Sequence, residues 1–171
     1  MSKKFSQLPG DLRIMSHKLI SKIAAILPEV IKVEGLKHFE ASWDNQGFTD
    51  TALVKWGRRK PPSHKNNKDG STSKSYKRWQ HKNDGRAILV GHQTDKQGTH
   101  LKDTLRATNT SKQVTFTTNK EYAQVHNEGG QAGRGDGFTM EQRQFMGPSE
   151  TLNKAIAVKM DKEITKFLKS L

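Results

Sequence analysis

Between Lys55 and Arg86 the chain carries eleven lysines and arginines against two aspartates, so nine of its thirteen excess positive charges fall in this one stretch. Glycine, serine, asparagine and Pro61-Pro62 fill the gaps, with Trp56, Tyr76 and Trp79 interleaved. Such a segment cannot bury enough apolar surface to offset the entropy of ordering it. It is expected as a solvated, mobile loop over 55–86, and the core must come from the sequence on either side. Only 32% of the 171 residues are of the AVILMFWYC set, so one compact core with long polar loops is expected, a single domain over 1–171. The net charge of +13 points to nucleic acid, acidic surfaces or acidic proteins as partners and says nothing about fold. The absence of cysteine excludes disulfide scaffolds, thiolate metal sites and cysteine nucleophiles. The opening MSKKFSQLPGD is basic but has no apolar core or cleavage site, and no run approaches a membrane span. The expectation is a soluble protein first used in the cytoplasm, with no membrane partner.

Leu12, Met15, Leu19, Ile23, Ile26 and Val30 recur at steps of three and four, the face of an amphipathic helix, with Asp11 at its start and Pro28 expected to end or kink it. A short strand or helix is expected near Lys37–Trp43. Ala87–Val90 reads as a short buried run closed by Gly91, and Leu101 and Leu105 are one helical turn apart. Thr110-Ser111-Lys112, flanked by Arg106–Asn109 and Gln113–Asn119, reads as a hairpin, with Val114, Phe116 and Thr118 on its inner side. Asn119 is placed to cap a short helix carrying Tyr122 and Val125, which Gly129 stops. A last helix starts at Glu150, capped by Ser149, and aligns Leu152, Ile156, Met160, Ile164, Phe167 or Leu168, and Leu171. The order predicts an α+β fold: a small antiparallel sheet packed with an N-terminal and a C-terminal helix.

Tyr122 to Ser149 is the densest stretch. Tyr122 and Phe145 read as buried aromatics at its ends, and five glycines within 129–137 predict a mobile glycine-rich loop over 129–142. Phe145 is expected to anchor the returning chain, with Gly147 in a backbone conformation reserved for glycine. Familiar chemistry is missing. There is no Gly-Lys pair for a phosphate loop, no His-Glu-x-x-His and no Gly-x-Ser-x-Gly. His126-Asn127 would suit a His-metal nuclease only within a ββα unit holding a second histidine ligand, so His126 is expected instead to bond a backbone carbonyl or neighbouring loop. Arg134-Gly135-Asp136 is a chance tripeptide. No cofactor or metal is expected. The basic stretch has two readings. Its cations, with Trp56, Tyr76 and Trp79 stacking on bases, would suit nucleic acid. The same residues would suit an arm that orders against a protein neighbour. The contact candidates are Trp56, Arg58, Arg59, Lys60, Tyr76, Lys77, Arg78 and Trp79.

Tyr122-Ala123, His126-Asn127, Gly129-Gly130 and Arg143-x-Phe145-x-Gly147-x-Ser149 together resemble the signature of the tailed-phage virion-morphogenesis, or tail-completion, family. Trp56 with its basic followers, Ile88-Leu89-Val90, Gly98-x-x-Leu101 and Thr104-Leu105 are similar to further parts of that pattern, over roughly residues 50 to 171. Glu141, Gln97 and Thr104 stand where the family commonly has proline, threonine and serine. The resemblance implies a non-enzymatic α+β subunit of the head–tail junction, acting in a ring in neck or tail completion. Its partners would be its own copies and phage neck, head-completion or tail proteins, with weak DNA contact left open. Its location would be the host cytoplasm during assembly and then the virion. The alternative is a basic nucleic-acid-binding protein of a mobile element.

Overall fold

The structure is a computed structural model that describes residues 10–62, 64–90, 100–135 and 137–170. Four helices and six short strands follow one another: α1 (Gly10–Asn45), β1 (Gly47–Thr49), β2 (Leu53–Lys55), α2 (Lys74–Asn83), a 3-10 turn (Lys102–Thr104), β3 (Arg106–Asn109), β4 (Val114–Thr117), α3 (Ala123–Glu128), β5 (Gly130–Ala132), β6 (Phe138–Met140) and α4 (Glu150–Leu168). The α+β class is as expected. The strands form three separate antiparallel pairs, β1–β2, β3–β4 and β5–β6, where one small sheet was expected. At three or four residues each they are too short to present a wide apolar face.

The described chain gathers into two compact units, one of the sequence through His38 with 106–117 and the C-terminal part from Pro148, the other of 39–105 and 118–147. In the first unit, the amphipathic pattern from Leu12 does form a helix, but Pro28 does not end it: α1 runs on to Asn45, absorbing the expected Lys37–Trp43 element. Pro28 leaves the Ala24 carbonyl without its helical donor, at a cost of about 3 kcal/mol. Burial of Pro28 and Val30 and of the later turns offsets it. The helical face is not uniformly covered. Val30 is buried, whereas Leu12 and Met15 stand 48% and 42% exposed. The β3–β4 hairpin forms where expected, with Ala107 opposite Phe116 and Asn109 opposite Val114. The Thr110 hydroxyl accepts from the Lys112 and Gln113 amides at 3.3 and 3.2 Å and closes its turn. Phe116 lies so close over Gly35 of α1 that a Cβ there would overlap the ring. Beside it, Asn109 donates to Glu29 Oε1 at 2.8 Å and accepts from Lys32 at 3.3 Å. The bond from Asn109, and then one from Lys32 at 3.3 Å, hold the Glu29 carboxyl below its usual range. In α4 the buried positions are Leu152 and Met160, on the expected stripe; Leu171 lies outside the described residues.

In the second unit the core is Phe39 and Trp43 from α1, Phe48, Trp56, Leu101, Leu105, Ala123 and Phe145. The basic stretch is not loop throughout. Ser73 caps α2, its hydroxyl accepting from the Tyr76 amide at 3.2 Å, though α2 buries no residue. Ala87–Val90 is a half-buried turn, with Leu89 at φ +56°, a conformation uncommon outside glycine. Its carbonyl accepts from the Trp43 indole at 3.3 Å. Gly91 and Gly98 lie outside the described residues. Asn119 does not cap α3, whose N-cap is Tyr122 with no side-chain bond, while Gly129 ends it at φ +77° as expected. The glycine-rich segment is itself a hairpin, Gly130 opposite Met140 and Ala132 opposite Phe138.

Ser149 accepts from the Leu152 amide at 3.1 Å, so Ser149→Ala should lower stability by about 1 kcal/mol in chemical denaturation, and Ser149→Asp should restore most of it.

Candidate functional site

The segment from Glu141 to Gly147 has no regular structure, yet Phe145 within it is, among the described residues, the most completely buried large side chain, 1% exposed. A buried irregular segment must find partners for its backbone, and here side chains and loop ends supply them. Asn127, at the end of α3, accepts from the Phe145 and Met146 amides at 2.9 and 3.0 Å and donates to the Met146 carbonyl at 3.0 Å. Ser42 of α1 donates to the Phe145 carbonyl at 3.2 Å. The Trp56 indole donates to the Gln144 carbonyl at 2.6 Å, and the Arg143 amide donates to the His126 carbonyl at 2.7 Å. The Phe145 ring meets Trp43 at 5.1 Å between centroids, and Trp43 meets Trp56 edge-on at 5.9 Å. The spacing His126-Asn127 to Arg143-x-Phe145 is therefore the spacing of a tether.

Beyond the knot lies a basic cleft of about 720 Å³, lined by Lys55, Arg58, Arg59, Arg86, Trp79 and neighbouring residues. Arg59 donates to the Arg86 and Ala87 carbonyls at 3.0 and 2.5 Å. Burial, together with the positive charges of Arg86 and Arg143, holds its guanidinium below the ordinary arginine range. Gln46 accepts from the Ile88 amide and pins the cleft wall. On α2, the Tyr76 and Trp79 rings meet at a tilt, 5.6 Å between centroids, with Lys65 5.6 Å from the Tyr76 centroid.

The structure sets some of the predicted site residues in these two groups and others outside both. Asn127, Arg143 and Phe145 belong to the knot, Ala123 is buried at the start of α3, and Ser149 caps α4. Gly130 opens β5. Gly147 takes φ +158°, where a Cβ would meet the mobile amide of Gln144. Tyr122 was expected to be buried and is 46% exposed; it begins α3 instead, edge-on to His126 at 5.7 Å. The His126 ring does not bond a carbonyl: its Nδ1 is buried without a hydrogen-bond partner. Burial, and secondarily Arg143, pushes its pKa down. Of the contact candidates, Arg58, Arg59 and Trp79 line the cleft together with Trp56, but Trp56 is only 8% exposed and its indole is engaged, which removes it from the surface set. Lys60, Lys77 and Arg78 are exposed outside the cleft lining. Sequence reasoning missed Ser42, Gln46 and Arg86, for which no periodicity or motif gives a signal. Among the described residues no group of three His, Asp or Glu could hold a metal ion, and no helix is long and apolar enough to cross a membrane.

Phe145→Ala should cost about 3–5 kcal/mol in thermal or denaturant melts, the range for emptying a buried aromatic site. Asn127→Ala strands two amides at once and should cost on the order of 2–4 kcal/mol. Asn127→Asp keeps the acceptor oxygen and should recover part of that loss; a melt indistinguishable from Asn127→Ala would show that the tether does not work through Oδ1.

The profile of the phage virion morphogenesis family matches residues 56–165, from the buried tryptophan through the knot into α4. No curated protein and no solved structure matches the chain. The match spans well over half of the sequence, and the chain belongs to the phage virion morphogenesis family.

Proposed function

We propose that this chain is a non-enzymatic subunit of the phage head–tail junction, serving in tail completion or the neck as one member of a ring. Its partners are its own copies and neck, head-completion or tail proteins. It works in the host cytoplasm during assembly and ends in the virion. Family membership supports the assembly role, and one observation carries the finer reading. The tips and edges of two hairpins hold large apolar side chains in water: Leu53 and Val54 of β2 are 41% and 70% exposed, and Phe138 of β6 is 55% exposed. Three-residue hairpins bearing such residues gain nothing from them in isolation, and β-edges of this kind pair readily with another chain. In the other unit, Ile14 and Ile20 of α1 are exposed as well.

A nucleic-acid role has one observation in its favour, the basic cleft with Trp79 at its side. The same charges suit an acidic protein surface equally well, and the apolar hairpin edges have no use on a polyphosphate.

Native mass spectrometry over a concentration series should find monomers or weak oligomers when dilute, and stable complexes with a neck or tail protein of the same phage. Val54→Asp with Phe138→Asp should leave the melt within about 0.5 kcal/mol of wild type, as surface changes do, while abolishing association. A chain that ignores all its neck and tail proteins would overturn the reading. So would tight DNA binding in anisotropy, if affinity fell with salt at a logarithmic slope near 0.9 per phosphate contacted.

A further inference from the structure

The helix α2 buries no residue, and ten residues are too few for a helix to be stable alone in water. Ser73 caps it, and Asn83 donates to the Trp79 carbonyl at 2.8 Å in its last turn. At 3.6 residues per turn, Lys74, Lys77, Arg78, His81 and Lys82 fall within about 140° of arc. All five are exposed, while Tyr76, Trp79 and Asn83 on the opposite side are half-buried. Lys74, Arg78 and Lys82 stand four apart in one row, where like charges repel and weaken a helix. Lys74 also opposes the helix dipole in a first turn that holds no acid. Among the described residues none of the five is in an ion pair. The longer helices mix their charges, with Glu29 against Lys32 in α1 and Lys159 against Glu163 in α4. A face kept only for solubility would look like theirs; that of α2 is cationic throughout.

We infer that this face of α2 contacts the phosphate backbone of duplex nucleic acid, weakly and without regard to sequence. The contact is a second activity beside assembly and does not rest on it. About 12 Å of helix separates Lys74 from Lys82 at 1.5 Å per residue, and a duplex carries one charge per about 1.7 Å of its axis. Each cation therefore finds a phosphate without any matched pattern. A protein surface would have to place its carboxylates to suit, and protein interfaces are built around an apolar centre depleted in lysine. No apolar residue shares the cationic arc. A single strand is held largely by stacking on aromatic rings. Those of α2 are not offered, since Tyr76 and Trp79 lie against each other away from the cations, with Lys65 beside Tyr76. The cleft is the poorer candidate: Arg59 and Arg86 are already engaged on carbonyls there, and Asp84 is in its lining.

The test is fluorescence anisotropy of a short labelled DNA duplex of mixed sequence, with the full chain, across a salt series. At physiological salt the dissociation constant should lie at about 10⁻⁴–10⁻⁶ M, the non-specific range. Affinity should drop about a hundredfold between 50 and 200 mM salt, a logarithmic slope of roughly 3–4 for the four lysine and arginine contacts. A duplex of unrelated sequence should bind alike, and the single strand more weakly. Lys77→Gln with Arg78→Gln should lower the slope by about 2 without moving the melt, since α2 buries neither residue. Lys162→Gln with Lys166→Gln removes the same charge from exposed positions of α4 and should leave the slope unchanged. Equal effects of the two double variants would assign binding to net charge and overturn the proposal. So would no binding at about 50 mM salt, preference for the single strand, or poly-L-glutamate binding more tightly than the duplex, which gives the face to an acidic protein. An affinity near 10⁻⁸ M at physiological salt, about where sequence-specific binding begins, overturns it as well. Association with neck or tail proteins is measured separately and stands or falls without it.

Discussion

Everything in the larger unit depends on how Phe145 is held. An irregular segment cannot satisfy its own backbone, so burying it requires partners from outside. Asn127 provides both an acceptor and a donor, Ser42 a donor to the Phe145 carbonyl, and the Trp56 indole one to the Gln144 carbonyl. Each such bond contributes only about 1 kcal/mol net, whereas leaving any of these groups unpaired costs more. The ring in turn closes the gap between Trp43 and the chain above it. One short segment thus joins the end of α1, the end of α3 and the residue after β2, three places far apart in sequence. Short strands suffice in this unit because the knot, and not a sheet, fixes the geometry.

The legible parts of the chain were those governed by local chemistry. The β3–β4 hairpin follows from alternation, α4 from its cap and stripe, and the stop at Gly129 from a backbone turn that glycine adopts freely. Phe145 was legible as an anchor because an aromatic residue between glycine-rich sequence and a helix cap has few other uses. What failed were places where tertiary packing outweighs a local rule. Pro28 lies inside α1 because the turns beyond it are buried. Tyr122 begins a helix and faces water. Ala87–Val90 looks like a strand, yet Leu89 turns at φ +56° to offer its carbonyl to Trp43. Trp56 reads as a base-stacking residue beside so many cations, but its indole has a buried acceptor waiting. The Asn127 tether was visible only as a motif, since nothing in a sequence tells which amide an asparagine will meet.

The charge of the chain is distributed in two physically different ways. Lys77, Arg78 and Lys82 sit on the exposed surface of α2, where water screens them over about a Debye length, near 8–10 Å at physiological salt. Arg143 is buried and Arg59 half-buried, and burial, with the nearby charges of Arg86 and then Arg143, holds the Arg59 guanidinium below its ordinary range. Exposed cations attract any acidic surface at longer range, whereas the withdrawn ones are engaged within the fold, Arg59 on the Arg86 and Ala87 carbonyls and Arg143 on Glu141.

These two layers, set beside the exposed apolar hairpin edges, resolve what would otherwise be a conflict. A subunit bearing Val54 and Phe138 in water should stick to its own kind, and prematurely so. A net charge of +13 opposes that encounter between identical chains and favours encounter with acidic ones. Apolar contact acts at short range and gives the bound state its lifetime; charge acts at longer range and decides which surfaces approach.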